Sequence, residues 1–372
     1  VTANSWDGYI KDHGNADAAA AAPVAVAADD LRRVETAVLE RLGLPPQDAA
    51  IAADVFLQSD LRGEESHGAR LLLNVFARIE AGGDDPASPV AVIRDRFAVA
   101  LWDAQRGIGQ VVATKAMLAA IEKAKQYGVG VVGVRNANSY TSAKYYPLLA
   151  AQAGMIGITY ANSGVQLVVP EGGLTPIVGT NPLAIAAPAR SKPYFVLDMA
   201  VSVAMEKIFQ AHERAQPIPQ GWGIDAAGQD TTDPADVLKS RALLPIAGPK
   251  GFGLGLAHEI LTCVLMGGHL FGGGSTGFIP FDGPMNVSQY FQAINIDWFV
   301  PLDEFKARMD DALAAVGASL ARPGVQHVYY PGEHSFAEEQ RRQADGIPLP
   351  RKTVDALQAW CDKLGVARLA TA

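Results

Sequence analysis

The stretch SDLRGEESHGARLLL, residues 59–73, gathers the groups that proton and carboxylate chemistry require. His67 can give or take a proton near neutral pH. On a helix it would share a face with Arg70, three residues on, while Arg62 and Ser66 stand four apart beside it. A guanidinium clamps a carboxylate through two parallel hydrogen bonds. The Ser66 hydroxyl can donate to a carboxylate oxygen or steady the imidazole, and Gly68 would let a small substrate approach the backbone. The adjacent Glu64 and Glu65 read as a solvated turn. A solvated helix end with an ordinary hydrogen-bonded histidine uses the same residues, so this stretch alone leaves both readings open.

Other motifs carry less. In RGIGQVVA, Gly107 and Gly109 stand between a strand and a helix, but the third glycine and the strand-end acid of a dinucleotide fingerprint are missing. A plain tight turn is expected there. GPKGFG lacks the Gly-Lys-Ser/Thr ending of a phosphate-binding loop, and His258-Glu259 is not followed by a histidine at zinc-protease spacing. The seven histidines form no ligand cluster, so no metal is expected. A net charge of -8 gives no attraction for polyanions, which argues against nucleic acid as a partner. No apolar run approaches bilayer span, so no membrane partner is expected either. Only Cys263 and Cys361 occur, far apart in apolar surroundings, which points to free thiols in a reducing compartment and a cytoplasmic protein.

These groups need a scaffold. With 372 residues, 49% of them hydrophobic, the chain can bury a large core in two or three units. Residues 1–29, rich in alanine, read as a loosely docked extension. From there the spacing of Leu31, Val34, Val38 and Leu42 predicts a helix capped by Asp30 and stopped by Gly43. PPQDAAIAADVFLQSDLRG and ARLLLNVFARIEAGG repeat the pattern. Strand signals begin near residue 96: FAVALWDA and VGVVGV flank a helix stopped by Gly128, and MIGITYA, LAIAAP and YFVLDMA follow. GPKGFGLGLAHEILTCVLMGG predicts a glycine-rich turn into a buried helix, and LDEFKARMDDALAAV and TVDALQAWCDKLG two amphipathic ones.

DLRGEESHGARLL resembles the Asp-Leu-Arg-Gly-x-x-Ser-His-Gly signature of the type 2 malate/L-lactate dehydrogenase family of NAD(P)-dependent oxidoreductases. The resemblance continues in order through KAMLAAIEKAKQYGVGVVGVRNANSY, ANSG, VGTNPLAIAAP, VLDMAVS, IPQGWGIDAAGQDTTDP, ALLPIAGPKGFGLGL and PGEHSF, covering residues 30–372. It implies an α+β fold: a helical, substrate-side unit (30–110 with 330–372) beside a non-Rossmann nucleotide-binding unit with a mixed sheet (111–329). It also implies a homodimer acting on a small carboxylate. By position, Ser163, the segment Asp198, Met199, Ala200 and Ser202, the pair Lys250-Gly251, and Gly332, Glu333 and His334 match cofactor-holding segments. The cofactor is NAD or NADP, with NADPH favoured should the substrate be an imine. Asn181 in GTNP shapes a turn.

Three departures stand out. Many members carry Asn-His-Phe/Tyr-Gly where this chain has NSYT, so Ser139 replaces a histidine beside Tyr140, both on the substrate side. A serine hydroxyl has no titration near neutrality. The arginine five positions after the signature serine corresponds to Leu71, with Arg70 one place early, a rotation of about 100° on a helix. Met205-Glu206 replaces small residues. The expected mechanism is hydride transfer at the carbon beside a carboxylate of a 2-oxo acid or the corresponding imino acid. In it His67 is the proton donor, Ser66 its partner, Asp198 an orienting group, and Arg62 or Arg70 the carboxylate clamp. Loss of the second histidine raises an alternative, a ketimine reductase of the piperideine-2-carboxylate type, because a protonated C=N needs a counter-anion more than a strong acid. A catalytically silent dimeric binding or scaffold protein is the alternative of another class.

Overall fold

In the computed structural model, residues 22–370 are described, apart from 204, 276, 278 and 279. The chain opens with β1 (Val24–Val26), α1 (Ala28–Arg41), α2 (Pro46–Leu61) and α3 (Ala69–Ala81). Leu31, Val34 and Val38 are buried along one face of α1 as their spacing requires. The helix starts two residues before Asp30. That carboxylate lies in the first turn, where it suits the helix dipole and pairs with Arg33 at 2.6 Å, and it is not the cap. Pro46 opens α2, and α3 ends on Gly82 in a left-handed conformation at φ 79°.

Next come the hairpin β2 (Ala91–Arg96) and β3 (Val99–Asp103), α4 (Gly109–Tyr127), β4 (Val129–Ala137), α5 (Tyr145–Gln152) and β5 (Met155–Ala161). A long connection leads to β6 (Leu183–Ala187), β7 (Phe195–Met199) and α6 (Met205–Glu213). A small lobe holds β8 (Gly223–Ile224), α7 (Pro234–Ser240) and β9 (Ala242–Leu243). Then α8 (Pro249–Glu259) runs into a π-helical turn, Ile260–Val264. The chain closes with β10 (Val287–Asn295), α9 (Leu302–Gly317), α10 (Glu333–Asp345), β11 (Ile347–Leu349) and α11 (Arg351–Leu364).

Seven strands form one mixed sheet in the order β2-β3-β4-β10-β5-β6-β7. Only β3 and β4 run parallel, joined by the α4 crossover; the other pairs are antiparallel. Met117 of α4, Tyr146 of α5, Val132 and Phe291 form the core on one face of this sheet. The mixed order, with β10 inserted between β4 and β5, is the non-Rossmann α+β architecture expected. A second core unites α1, α2, α3 and α11 with β1 and β11.

Of the expected N-terminal extension, residues 1–21 lie outside the described residues. Val24–Val26 are part of the fold, pairing antiparallel with β11 through Val24↔Leu349. Strands β2 and β3, drawn with the helical unit in the sequence, form the edge of the large sheet. Strand β10 and helix α10 carried no sequence expectation. The turn after α8 is less buried than its apolar run predicts: Ile260, Val264 and Leu265 are 51%, 57% and 61% exposed. Cys263 and Cys361 are buried free thiols. Among the described residues no helix is long and apolar enough to cross a membrane, and no cluster could hold a metal ion.

Candidate active site

A cleft of about 970 Å³ opens between the turn before α3, the segment after β4, the end of β7 and α6. This lies near the upper end of the range for small-molecule sites, about 300–1,000 Å³. His67 and Ser66 line it, with Ser66 Oγ 2.8 Å from His67 Nδ1. Two backbone devices set the ring. His67 N donates to Glu64 O at 2.8 Å, closing the turn. Ala69 N donates to Asp60 Oδ2 at 2.7 Å, so a side chain near the end of α2 satisfies an orphan amide at the start of α3. A Cβ on Gly68 would lie 1.9 Å from Asp60 Oδ1. The glycine therefore makes room for this carboxylate and not, as its sequence context implied, for a substrate. Burial pushes the Asp60 carboxyl up to about 7, although the Ala69 amide and Arg342 oppose it.

Glu64 departs from the sequence reading as well. It points into the cleft, where Ser142 Oγ donates to Oε2 at 2.6 Å and Lys144 Nζ lies 2.7 Å from Oε1. Burial alone would raise its carboxyl, but the Lys144 ammonium, His67 and these hydrogen bonds outweigh that and hold it below the usual range. Glu65 stays at the surface and pairs with Arg342 at 2.8 Å. Asp198, on β7, accepts from Lys144 N at 3.0 Å, and burial, reinforced by Glu64, pushes it up to about 7. Burial lowers the His67 imidazole, Lys144 adds to the effect, and Glu64 and Glu206 oppose it. Neither Lys144 nor Ser142 was singled out from sequence. The available signal was a lysine inside the otherwise apolar and aromatic run SYTSAKYYPLL.

Arg70, at the start of α3, pairs with Glu206 of α6 at 2.8 Å, and Glu206 lines the cleft. Arg62 is turned away. Its guanidinium lies 4.3 Å over the Phe336 ring and pairs with Glu339 at 2.8 Å, facing a separate small cavity. Ser139 and Tyr140 both line the main cleft; Ser139 Oγ accepts from Thr141 N at 3.3 Å, and Tyr140 stacks on Tyr146 at 4.9 Å.

Of the residues matched to cofactor segments, Ser163, Asp198, Met199, Ala200 and Ser202 line the cleft. Asn181, expected only to shape a local turn, instead ties this wall together: its Oδ1 accepts from Ser163 N at 3.2 Å and its Nδ2 donates to Glu259 at 2.9 Å. Asn162 Nδ2 and Ser202 Oγ are buried here with no partner in the protein. Buried polar groups are almost always paired, so these two fit a bound ligand rich in amide and phosphate groups, such as a nicotinamide dinucleotide. Lys250 is exposed on the first turn of α8, and Gly251 is needed where the chain presses on Ile246, whose carbonyl oxygen would be 2.0 Å from an added Cβ. Gly332, at φ 100°, packs against the backbone of Tyr194 and Val196. Glu333 lies 3.2 Å from His327, and His334 sits beside Tyr329. Neither Lys250-Gly251 nor Gly332–His334 lines the cleft.

Residues 26–358 match the malate/L-lactate dehydrogenase family. The chain is 39% identical over 358 residues to a malate dehydrogenase of Pyrococcus abyssi, covering 93% of this chain and 96% of the relative. It is 34% identical to the NAD(+) ureidoglycolate dehydrogenase of Escherichia coli, covering 82% of this chain and 87% of that one. Among solved structures, a delta1-piperideine-2-carboxylate reductase from Pseudomonas syringae superposes with a TM-score of 0.81 at 25% identity, over 90% of this chain and 99% of that chain.

Proposed function

The chain belongs to the malate/L-lactate dehydrogenase family of NAD-dependent oxidoreductases, and on that premise we propose that it interconverts a 2-oxo acid and its 2-hydroxy acid by hydride transfer. The observation that carries this reading is the convergence of His67, Ser66, Glu64 and Asp198 on one cleft that also holds the unpaired Asn162 Nδ2 and Ser202 Oγ. NAD, when bound, supplies or accepts the hydride. Ser163, Met199, Ala200 and Ser202 would hold it along the β7 side, with residues 111–329, joined by strands β2 and β3 from 30–110, as the cofactor-side unit and the rest of 30–110 with 330–372 as the substrate-side unit.

The protein's own work is to bind the carboxylate and to move one proton. His67 gives a proton to the carbonyl oxygen in reduction and takes it back in oxidation. Ser66 at Nδ1 fixes which ring nitrogen faces the substrate. Arg70 is the carboxylate partner, exchanging Glu206 for substrate; Arg62 faces the wrong cavity for that task. Relatives across almost the whole chain are dehydrogenases, which leaves the silent scaffold alternative without support.

One observation favours a second substrate class. Glu64, Asp198 and Glu206 all line the cleft, and Ser139 stands where many members place a histidine. Such a carboxylate-rich wall suits a cationic iminium, the ketimine-reductase alternative, with NADPH as the cofactor to test beside NADH. The deciding measurement is loss of cofactor absorbance with oxaloacetate or pyruvate alone, with pyruvate plus methylamine, and with delta1-piperideine-2-carboxylate. Oxidation without any amine supports the 2-oxo acid reading; oxidation only with amine or preformed imine replaces it. The exposed Leu256, Ile260, Val264 and Leu265 along α8 and its π-turn support a homodimer. The two free cysteines fit a reducing compartment such as the cytoplasm.

A further inference from the structure

A second, smaller cavity of about 140 Å³ lies behind the wall of the active-site cleft, lined by Asp54, Gln58, Arg62, Lys144 and Gln152 among others. Its walls mix these charged and polar groups with Tyr145, Leu148 and Leu149. Arg62 is only 7% exposed, and although Nη2 pairs with Glu339, its Nη1 is buried with no partner in the protein. A buried N–H facing a space of this size, well above the roughly 30 Å³ share of one water, calls for water as its partner.

Ser142 is the residue of interest because it lines both cavities. Its Oγ donates to Glu64 Oε2 at 2.6 Å on the cleft side, and a hydroxyl keeps lone pairs free to accept from water on the other. Lys144, 8% exposed, holds Glu64 from the same wall at 2.7 Å. Glu64 shares the main cleft with His67 and is the first of the charged groups that favour the imidazolium there, ahead of Glu206; Lys144 opposes it, and Arg70 pairs with Glu206.

We propose that Ser142 is a proton bridge: its hydroxyl carries protons between water in the small cavity and Glu64, which exchanges them with His67 while substrate closes the main cleft. The proposal rests on the functional reading above, which consumes one proton per reduction. In that direction His67 gives its proton to the substrate oxygen and becomes neutral. Glu64, ionised beside Lys144, first takes a proton from Ser142 and then passes it to the ring through a water in the cleft. Ser142 Oγ–H moves to Glu64 Oε2 as Oγ accepts a proton from the cavity water, whose own loss is made good by buffer acid in the bulk. Rotation of the hydroxyl resets the bridge, and oxidation runs the same path in reverse. Ser142 is thus a positioning and relay residue and touches no reacting atom.

The test compares wild type with Ser142→Ala, Ser142→Thr and Lys144→Met, at saturating NADH and whichever of oxaloacetate or pyruvate the wild type reduces. In S142A, kcat is expected to fall about tenfold, less than the roughly 10²–10⁴ of a group that transfers the proton to substrate itself. KM and NADH binding by fluorescence should change little, and the kcat ratio between H2O and D2O should rise. S142T, which restores a hydroxyl, should recover most of the loss, and K144M should show the S142A signature. An S142A with unaltered kcat and isotope effect overturns the bridge, and so does a loss that S142T shares in full or that appears in KM alone. If the wild type reduces neither keto acid, the functional reading fails and the bridge with it; turnover with an unaltered S142A removes the bridge alone.

Discussion

Burial lowers the His67 imidazole below its ordinary value of 6.5, which favours the neutral ring. In the oxidative direction the ring must be neutral to accept a proton. The oxidation rate is therefore expected to hold its plateau below pH 6.5, where an ordinary histidine would already be half protonated. Reduction needs the imidazolium and should weaken as pH rises. His67→Ala should cost roughly 10²–10⁴ in kcat and abolish this pH limb, while NADH still quenches protein fluorescence. Steady-state rates from pH 5 to 9 in both directions check the point. An unchanged limb in the variant would assign it to Asp198, which burial pushes up to about 7.

At the scale of elements, the site depends on how α3 begins. Asp60, near the end of α2, caps Ala69 and occupies the space that Gly68 leaves. Gly68→Ala puts a methyl carbon 1.9 Å from Asp60 Oδ1, so the Asp60 carboxylate must leave the Ala69 amide or the start of α3 must shift, and either change disturbs the seat of His67. The expected outcome is a folded protein, by circular dichroism, with kcat lowered at least about tenfold, since misplacement by about 1 Å can cost far more. Asp60 also makes stability pH-dependent. Its folded value, about 7, lies above the ordinary 3.8. The stability tied to its proton is complete below about pH 4 and is lost as pH rises through 7, on the order of 2–4 kcal/mol at most. Urea unfolding at pH 5 and pH 8 should show this slope, and Asp60→Asn, which stays neutral, should flatten it.

On the scale of the whole molecule, the halves are clasped by Arg78, fully buried on α3. It pairs with Asp84 at 2.7 Å and donates to Gly283 O at 2.9 Å, so the helical core holds the loop that closes one side of the cleft. The apolar strip after α8 belongs to this scale too. With Ile260→Lys and Leu265→Glu introduced together, the proposed homodimer should dissociate in sedimentation runs at micromolar concentration, without loss of helix content; a wild type that already runs as a monomer would refute the dimer. Much of this architecture is legible in the chain itself. Apolar spacing marks α1, α2, α3 and the strands β3 to β7, because period 3.6 and period 2 are local properties. The motif around His67 identifies the family and marks the ring proposed to transfer the proton. Local pattern misplaced the first cap, missed β2, β10 and α10, and left Glu64 in solvent. It could not see that Gly68 serves Asp60, that Arg62 faces away, or that Lys144 and Ser142 stand behind Glu64. Those facts join residues far apart along the chain: Ser142 and Glu64 are 78 positions apart, and Arg62 and Glu339 lie much further apart still. Residue type and spacing determine which chemistry is available, whereas the direction of a side chain and its partners across such distances are decided by packing, which only the folded chain contains.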